Sequence, residues 1–318
     1  MSMLAFDFMR RALLAAVLMG IAAPAVGTFI VQRRLALLGD GIGHVALTGV
    51  ALGLVTGTSP VLTAVIVSIV GAIAIELLRS RGRTGGDVAL ALLFYGGIAG
   101  GVLLTNVAPG GSTSNLLAYL FGSISSVSSQ DLYVVVGLAV AVVTVIALFG
   151  RELFLLCQDE EVARASGLPV RFLSLLLAVT AALTVVVAMR VVGLLLVSAL
   201  MVVPVAAAQQ LTRGFKATVL IAMVFGVLSG VGGLYAGYQR DLSPGPAIVL
   251  IALVLFVVAV AGRWVARALR SGSPLRQRAA RHTARGGPRP ASPESPESAA
   301  SPPAPAASAR SDAEVTSR

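Results

Sequence analysis

AIVLIALVLFVVAVAG, residues 247–262, carries no polar side chain on any face, and VVVGLAVAVVTVIALF, residues 134–149, is apolar except for Thr144. A strand of a membrane barrel would alternate apolar and polar positions over about ten residues. A helix satisfies its own backbone and tolerates lipid on all sides. Working outward, comparable blocks occupy 12–32, 36–57, 60–79, 88–108, 131–149, 171–189, 191–211, 217–238 and 245–265. Each is near the length of about twenty residues that crosses a hydrocarbon core of about 30 Å. The sequence therefore predicts an all-α fold, a polytopic transmembrane helical bundle of 8–9 spanning segments.

Composition agrees. Of 318 residues, 57% are hydrophobic and only 12% charged, where a soluble domain carries about 25% charged residues; mean hydropathy is +0.91. Cys157 is the single cysteine, which excludes an intrachain disulfide and a thiolate-cluster metal site. The net charge of +10 does not point to nucleic acid, because much of it lies in short loops and the C-terminal tail. RSRGRTGGD (79–87), RELFLLCQDEEVARASGLPVR (151–171) and RWVARALR (263–270) are charged breaks, whereas the 109–130 loop holds no basic residue. Basic loops stay in the cytoplasm, so 109–130 is expected outside. Nine crossings put the N-terminus outside and eight put it inside; Arg33 and Arg34 favour the first count, Arg10 and Arg11 the second. Residues 1–270 are expected to form the membrane domain. Residues 271–318, rich in Pro, Ser, Ala and Arg and containing His282, are expected to be a disordered cytoplasmic tail.

Ionisable residues inside spanning segments are candidate sites. In LLGDGIGHVALTGVALG (37–53), Asp40 and His44 are four apart and share one helix face. Carboxylate plus imidazole suits zinc, manganese or ferrous iron. The other reading is that Asp40 caps the helix and His44 hydrogen-bonds to it. Gly39, Gly41, Gly43, Gly49 and Gly53 make a thin helix surface that allows close helix approach; Gly39 and Gly43 are pathway candidates, Gly49 and Gly53 packing positions. Glu76 is expected to pair with Arg79 near the interface, and Asp131 and Asp241 to cap segment ends. Pro204 interrupts a helix ladder, for packing or for gating. QDEEVARASGLPV (158–170) reads as a short amphipathic cytoplasmic helix at about 159–167. Glu160, Glu161 and Arg164 would point outward, Val162, Ala163 and Ala165 would pack, and Gly167 would stop it. No phosphate-binding G-x-x-x-x-G-K-[ST] loop occurs, so any nucleotide hydrolysis belongs to another subunit.

RRLALLGDGIGHVALTGVALG (33–53) resembles the signature of the permease subunits of bacterial ABC importers for zinc, manganese or iron. NLLAYLFGSISSVSSQDL (115–132), VVGLLLVSALMVVPVAAAQQL (191–211) and GVGGLYAGYQRDLSPGPAIVL (230–250) are similar to further stretches of that family, and DEEVARASGLPV (159–170) to its coupling helix. The resemblance covers about 6–265 in order; the glycine pair around Ile42 departs from it, where alanine or serine is more usual. It implies a homodimer in the inner (plasma) membrane, in contact with lipid, with cytoplasmic ABC ATPase subunits and an extracytoplasmic metal-binding protein. It further implies Asp40 and His44 as metal ligands, and coupling to the ATPase through Asp159, Glu160, Glu161, Ala163, Arg164 and Gly167. The cargo would be a transported divalent metal, zinc or manganese, with no bound cofactor and no catalysis by this chain. The alternative is a secondary transporter, metal- or proton-coupled, in which Asp40 and His44 relay protons and no ATPase takes part. An intramembrane metalloenzyme is disfavoured, since H-E-x-x-H is absent and the chain has two histidines.

Overall fold

Each of the nine apolar blocks becomes a helix in the computed structural model, which describes residues 7–80, 86–107, 120, 122, 129–189, 193–240 and 243–271. The helices are α1 (Asp7–Gln32), α2 (Leu38–Thr56), α3 (Pro60–Ser80), α4 (Gly86–Val107), α5 (Ser129–Gln158), α6 (Glu160–Ala165), α7 (Val170–Met189), α8 (Leu194–Leu211), α9 (Phe215–Arg240) and α10 (Pro244–Ser271). Eight of them are long and apolar enough to cross a membrane. Two are not: α6, of six residues, and α8, whose apolar stretch is shorter and whose 18 residues span about 27 Å at about 1.5 Å each. α8 passes through Pro204 without interruption.

Side-chain contacts fix the direction of each helix. Gln32 at the end of α1 bonds Gln158 at the end of α5. Arg33 bonds Ser174 in the first turns of α7, and Phe215 at the start of α9 packs on Phe29 and Phe154. Arg263 late in α10 donates to Gln210 late in α8. Directions therefore alternate over α1 to α5 and again over α7 to α10, with α6 lying at one end; among the described residues the eight long apolar helices and the shorter α8 all run end to end through the bundle. Arg33, Arg79, Arg164, Arg171, Arg213, Lys216 and Arg263 share the α6 end, against Arg10, Arg11 and Arg240 at the other. The α6 end thus carries the excess of basic residues that the positive-inside rule associates with a cytoplasmic face.

Burial sorts the helices into layers. In α1 and α7, 72% of the most apolar window is inside the bundle, against 22% in α4 and α5. α4, α5 and α10 carry the exposed Leu103, Val140 and Val257, a lipid-facing surface in a chain whose backbone is satisfied within helices. Inside, α1 and α9 cross at Gly20 and Gly226, where a Cβ on Gly20 would come within 2.8 Å of the Gly226 backbone; small residues permit such crossings.

Two expectations are corrected. The charged break expected from Arg151 does not end its helix, because α5 continues through Arg151 and Glu152 to Gln158. The helix-forming ELFLLC run buries Leu153 and Leu156 while Arg151 stays exposed, and charged side chains near a helix end reach the interface. The tail was expected to start at residue 271, but Ser271 is the last residue of α10; the rest of the tail, Asp241 and most of the 109–130 loop lie outside the described residues.

Candidate functional site

The first turn of α2 places Asp40 and His44 one above the other, about 3 and 9 Å along a helix that rises about 1.5 Å per residue. Both sit in the third of α2 nearest the arginine-rich end. Asp40 is not the cap: Leu37 holds that position, without a side-chain cap bond. The Asp40 carboxylate instead accepts a hydrogen bond from Ser198 Oγ, 158 residues away on α8. His44 does not pair with Asp40. Its Nδ1 is buried without a protein hydrogen-bond partner, a rare condition for a polar atom, while its ring meets the Phe94 ring edge-on at 4.6 Å.

α4 makes the other wall. It runs parallel to α2 and approaches so closely at Gly97 that a Cβ there would stand 2.7 Å from the backbone of His44 and Val45. Thr48 Oγ1 fastens the same level by donating to the Gly97 carbonyl at 2.7 Å. Below this contact the helices part around a cavity of about 320 Å³ lined by Leu37, Asp40, Leu90, Ala91, Phe94 and Tyr95. Leu37 and Tyr95 are 66% and 69% exposed, so the cavity opens on the outer surface of the single chain. No group of three or more His, Cys, Asp or Glu side chains lies together among the described residues. Asp40 and His44 of one chain thus provide at most half of a four-ligand set.

The candidate glycines divide. A Cβ on Gly39 would press on Ser198 Cβ at 3.3 Å, whereas one on Gly43 would meet Leu194 at an ordinary 3.6 Å. Gly49 and Gly53 abut the backbone of Ala64 and Pro60 on α3, the packing role expected of them. Pro204 is buried in α8. Glu76 and Arg79 form the expected ion pair, 2.9 Å apart and largely buried.

A second cluster surrounds α6. The Asp159 carboxylate caps this helix by accepting from the amides of Glu161 and Val162 at 2.8 and 3.1 Å, and Gly167 reverses the chain after it at φ 78°. The expected orientation needs correction. Only Ala163 is buried, whereas Val162 and Ala165 are exposed, since so short a helix has room for one inward line of residues. Glu160, expected to face outward, is half-exposed and pairs with the buried Arg33 at 3.0 Å as well as with the exposed Arg164 at 3.2 Å. Arg33 also donates to Ser174 Oγ at 2.9 Å, and its side chain is 5% exposed. Burial, with Arg79 nearby, lowers the Arg33 pKa from its usual value against the opposing pull of Glu76, Cys157 and Glu160. Glu161, Val162, Arg164 and Ala165 form the outer face.

Sequence reasoning missed Ser198 and Arg33. No spacing in the sequence ties Ser198 to Asp40, and Arg33 reads from the sequence only as a loop charge.

Comparison with known proteins gives a consistent set. The family model described as the ABC 3 transport family matches residues 5–263. The manganese transport system membrane protein MntC of Halalkalibacterium halodurans is 36% identical over 258 residues, covering 81% of this chain and 88% of that protein. The manganese import system permease protein ScaB of Streptococcus gordonii is 33% identical over 80% of this chain and 90% of its own. Among solved structures, PsaBC from Streptococcus pneumoniae in complex with Fab superposes with a TM-score of 0.73 at 33% identity, covering 80% of this chain and 92% of that one.

Proposed function

This chain belongs to the ABC 3 transport family, a multi-pass plasma-membrane permease subunit of an ABC metal importer, and from that premise we propose that its cargo is manganese, with zinc and iron as poorer substrates. The support is the naming of its relatives as manganese permeases and a donor pair of carboxylate and imidazole that suits a borderline-hard cation. In this reading Asp40 and His44 are the pathway ligands. Two copies of the chain meet across the Asp40 cavities, so that two carboxylates and two imidazoles make a transient site. An extracytoplasmic metal-binding protein delivers the ion, and cytoplasmic ATPase subunits drive alternating access through α6. Release requires weak holding, which a site shared by two chains and competed for by Ser198 provides.

The observation that carries the reading is the orphaned His44 Nδ1 one helical turn from Asp40. A secondary transporter would have no use for a capped amphipathic α6 presenting an exposed face. The test is uptake of radioactive manganese and zinc by cells expressing the complete transporter, with Asp40→Ala and His44→Ala at matched membrane abundance. Both variants are expected to lose uptake while the ATPase still co-purifies. Full uptake in both would refute the ligand assignment, and uptake without any ATPase subunit would favour the secondary transporter.

A further inference from the structure

We propose that Arg33 and Glu160 form the link that carries motion of α6 to Asp40, making both positioning residues of the transport step. This rests on the importer reading above and adds to it the route by which the two halves of the machine communicate. Four observations converge. The Glu160 carboxylate is shared between Arg164 on its own helix and Arg33 across the bundle, at 3.2 and 3.0 Å. Arg33 is gripped twice, its second guanidinium nitrogen donating to Ser174 Oγ at 2.9 Å. Arg33 then leads into a linker of only five residues, 33–37, before α2 begins at Leu38, with Asp40 in its first turn.

The fourth observation is the conformation of that linker. Arg34 has φ 59°, a left-handed backbone that costs a non-glycine residue energy and that persists when its surroundings hold it. The linker is tied back to α1 by Leu35 N to Ile30 O and forward by Leu38 N to Leu35 O. It is therefore a stiff bent strap and not a slack loop. A displacement of α6 acts on Glu160, is taken up by Arg33, and reaches the first turn of α2 through this bonded strap. Asp159, by capping α6, keeps Glu160 on a helix that moves as one piece.

The experiment uses the complete transporter, permease with its ATPase and metal-binding protein, reconstituted in liposomes. Manganese uptake and ATP hydrolysis are measured on the same preparation, and their ratio is the readout. Glu160→Gln keeps shape and a hydrogen-bond acceptor but removes the charge that holds Arg33. It is expected to lower manganese imported per ATP by about five- to tenfold, the size of an ordinary coupling between sites. Arg33→Glu combined with Glu160→Arg is expected to recover part of the ratio that Arg33→Glu alone loses. A merely structural brace would lower uptake and hydrolysis in proportion and leave the ratio at the wild-type value; that result, or a swap no better than the single change, overturns the link. An intact complex that imports no manganese overturns the reading of function first, and the link with it.

Discussion

The Ser198 hydroxyl donates to Asp40, so a cation taking that carboxylate displaces a hydrogen bond to a charged acceptor, worth about 1.5–3 kcal/mol. Ser198→Ala removes the competitor. It should lower the KM for manganese and also the maximal uptake rate, because a freed carboxylate holds the ion longer; Ser198→Thr should transport like the parent. Initial-rate uptake against manganese concentration checks both. The glycines make a sharper contrast. A Cβ at Gly43 has ordinary room and one at Gly97 collides with the His44 backbone. Gly43→Ala is accordingly expected to keep parental abundance and uptake. Gly97→Ala should cost about 1–3 kcal/mol as overpacking does, visible as a lower Tm of the purified protein together with reduced uptake. Asp40 and His44 were legible in the sequence because four-residue spacing on a helix fixes which residues share a face. Ser198 was not, because its partnership is set by the crossing of α2 with α8, and no local pattern encodes which helix crosses which.

Among the elements, α6 depends most on a single side chain. With six residues it is far below the length at which a helix holds itself in water, and the Asp159 carboxylate satisfies two of its free amides. Asp159→Ala should weaken it by about 1 kcal/mol and reduce the amount of ATPase that co-purifies with the permease. The long helices could be read from hydropathy because lipid demands twenty apolar residues and little else. Their ends were harder. α5 runs nine residues past Phe149, where the predicted block ended, since the arginine and glutamate that end an apolar block do not end a helix. The pairing of Glu160 with Arg33 was hidden for a related reason. On a helix this short, amphipathic spacing cannot say which face is covered, and the deciding partner, Arg33, arrives from 127 residues away.

At the scale of the whole molecule, the α6 cluster and the Asp7 end of α1 lie at opposite ends of the described helices, and the basic excess at the α6 end predicts that this end faces the cytoplasm. A cysteine introduced at Arg164 or Arg213, in a chain whose buried Cys157 is changed to serine, should react with an impermeant maleimide only after the cells are opened. One introduced at Arg10 or Arg240 should react in intact cells; the reverse pattern would contradict the assigned orientation. The topology bears on how the chain is made. In the predicted orientation Arg10 and Arg11, in the first turns of α1, are exported during insertion, two guanidinium groups together. On insertion scales each costs about 2.5–3.5 kcal/mol at mid-bilayer. Asp7, 3.9 Å from Arg10, travels with them and partly neutralises the moving segment. The retention signal lies at the other end of the helix, where Arg33 and Arg34 follow. In that orientation the arginines that follow α1, and not those in its first turns, hold the helix in place.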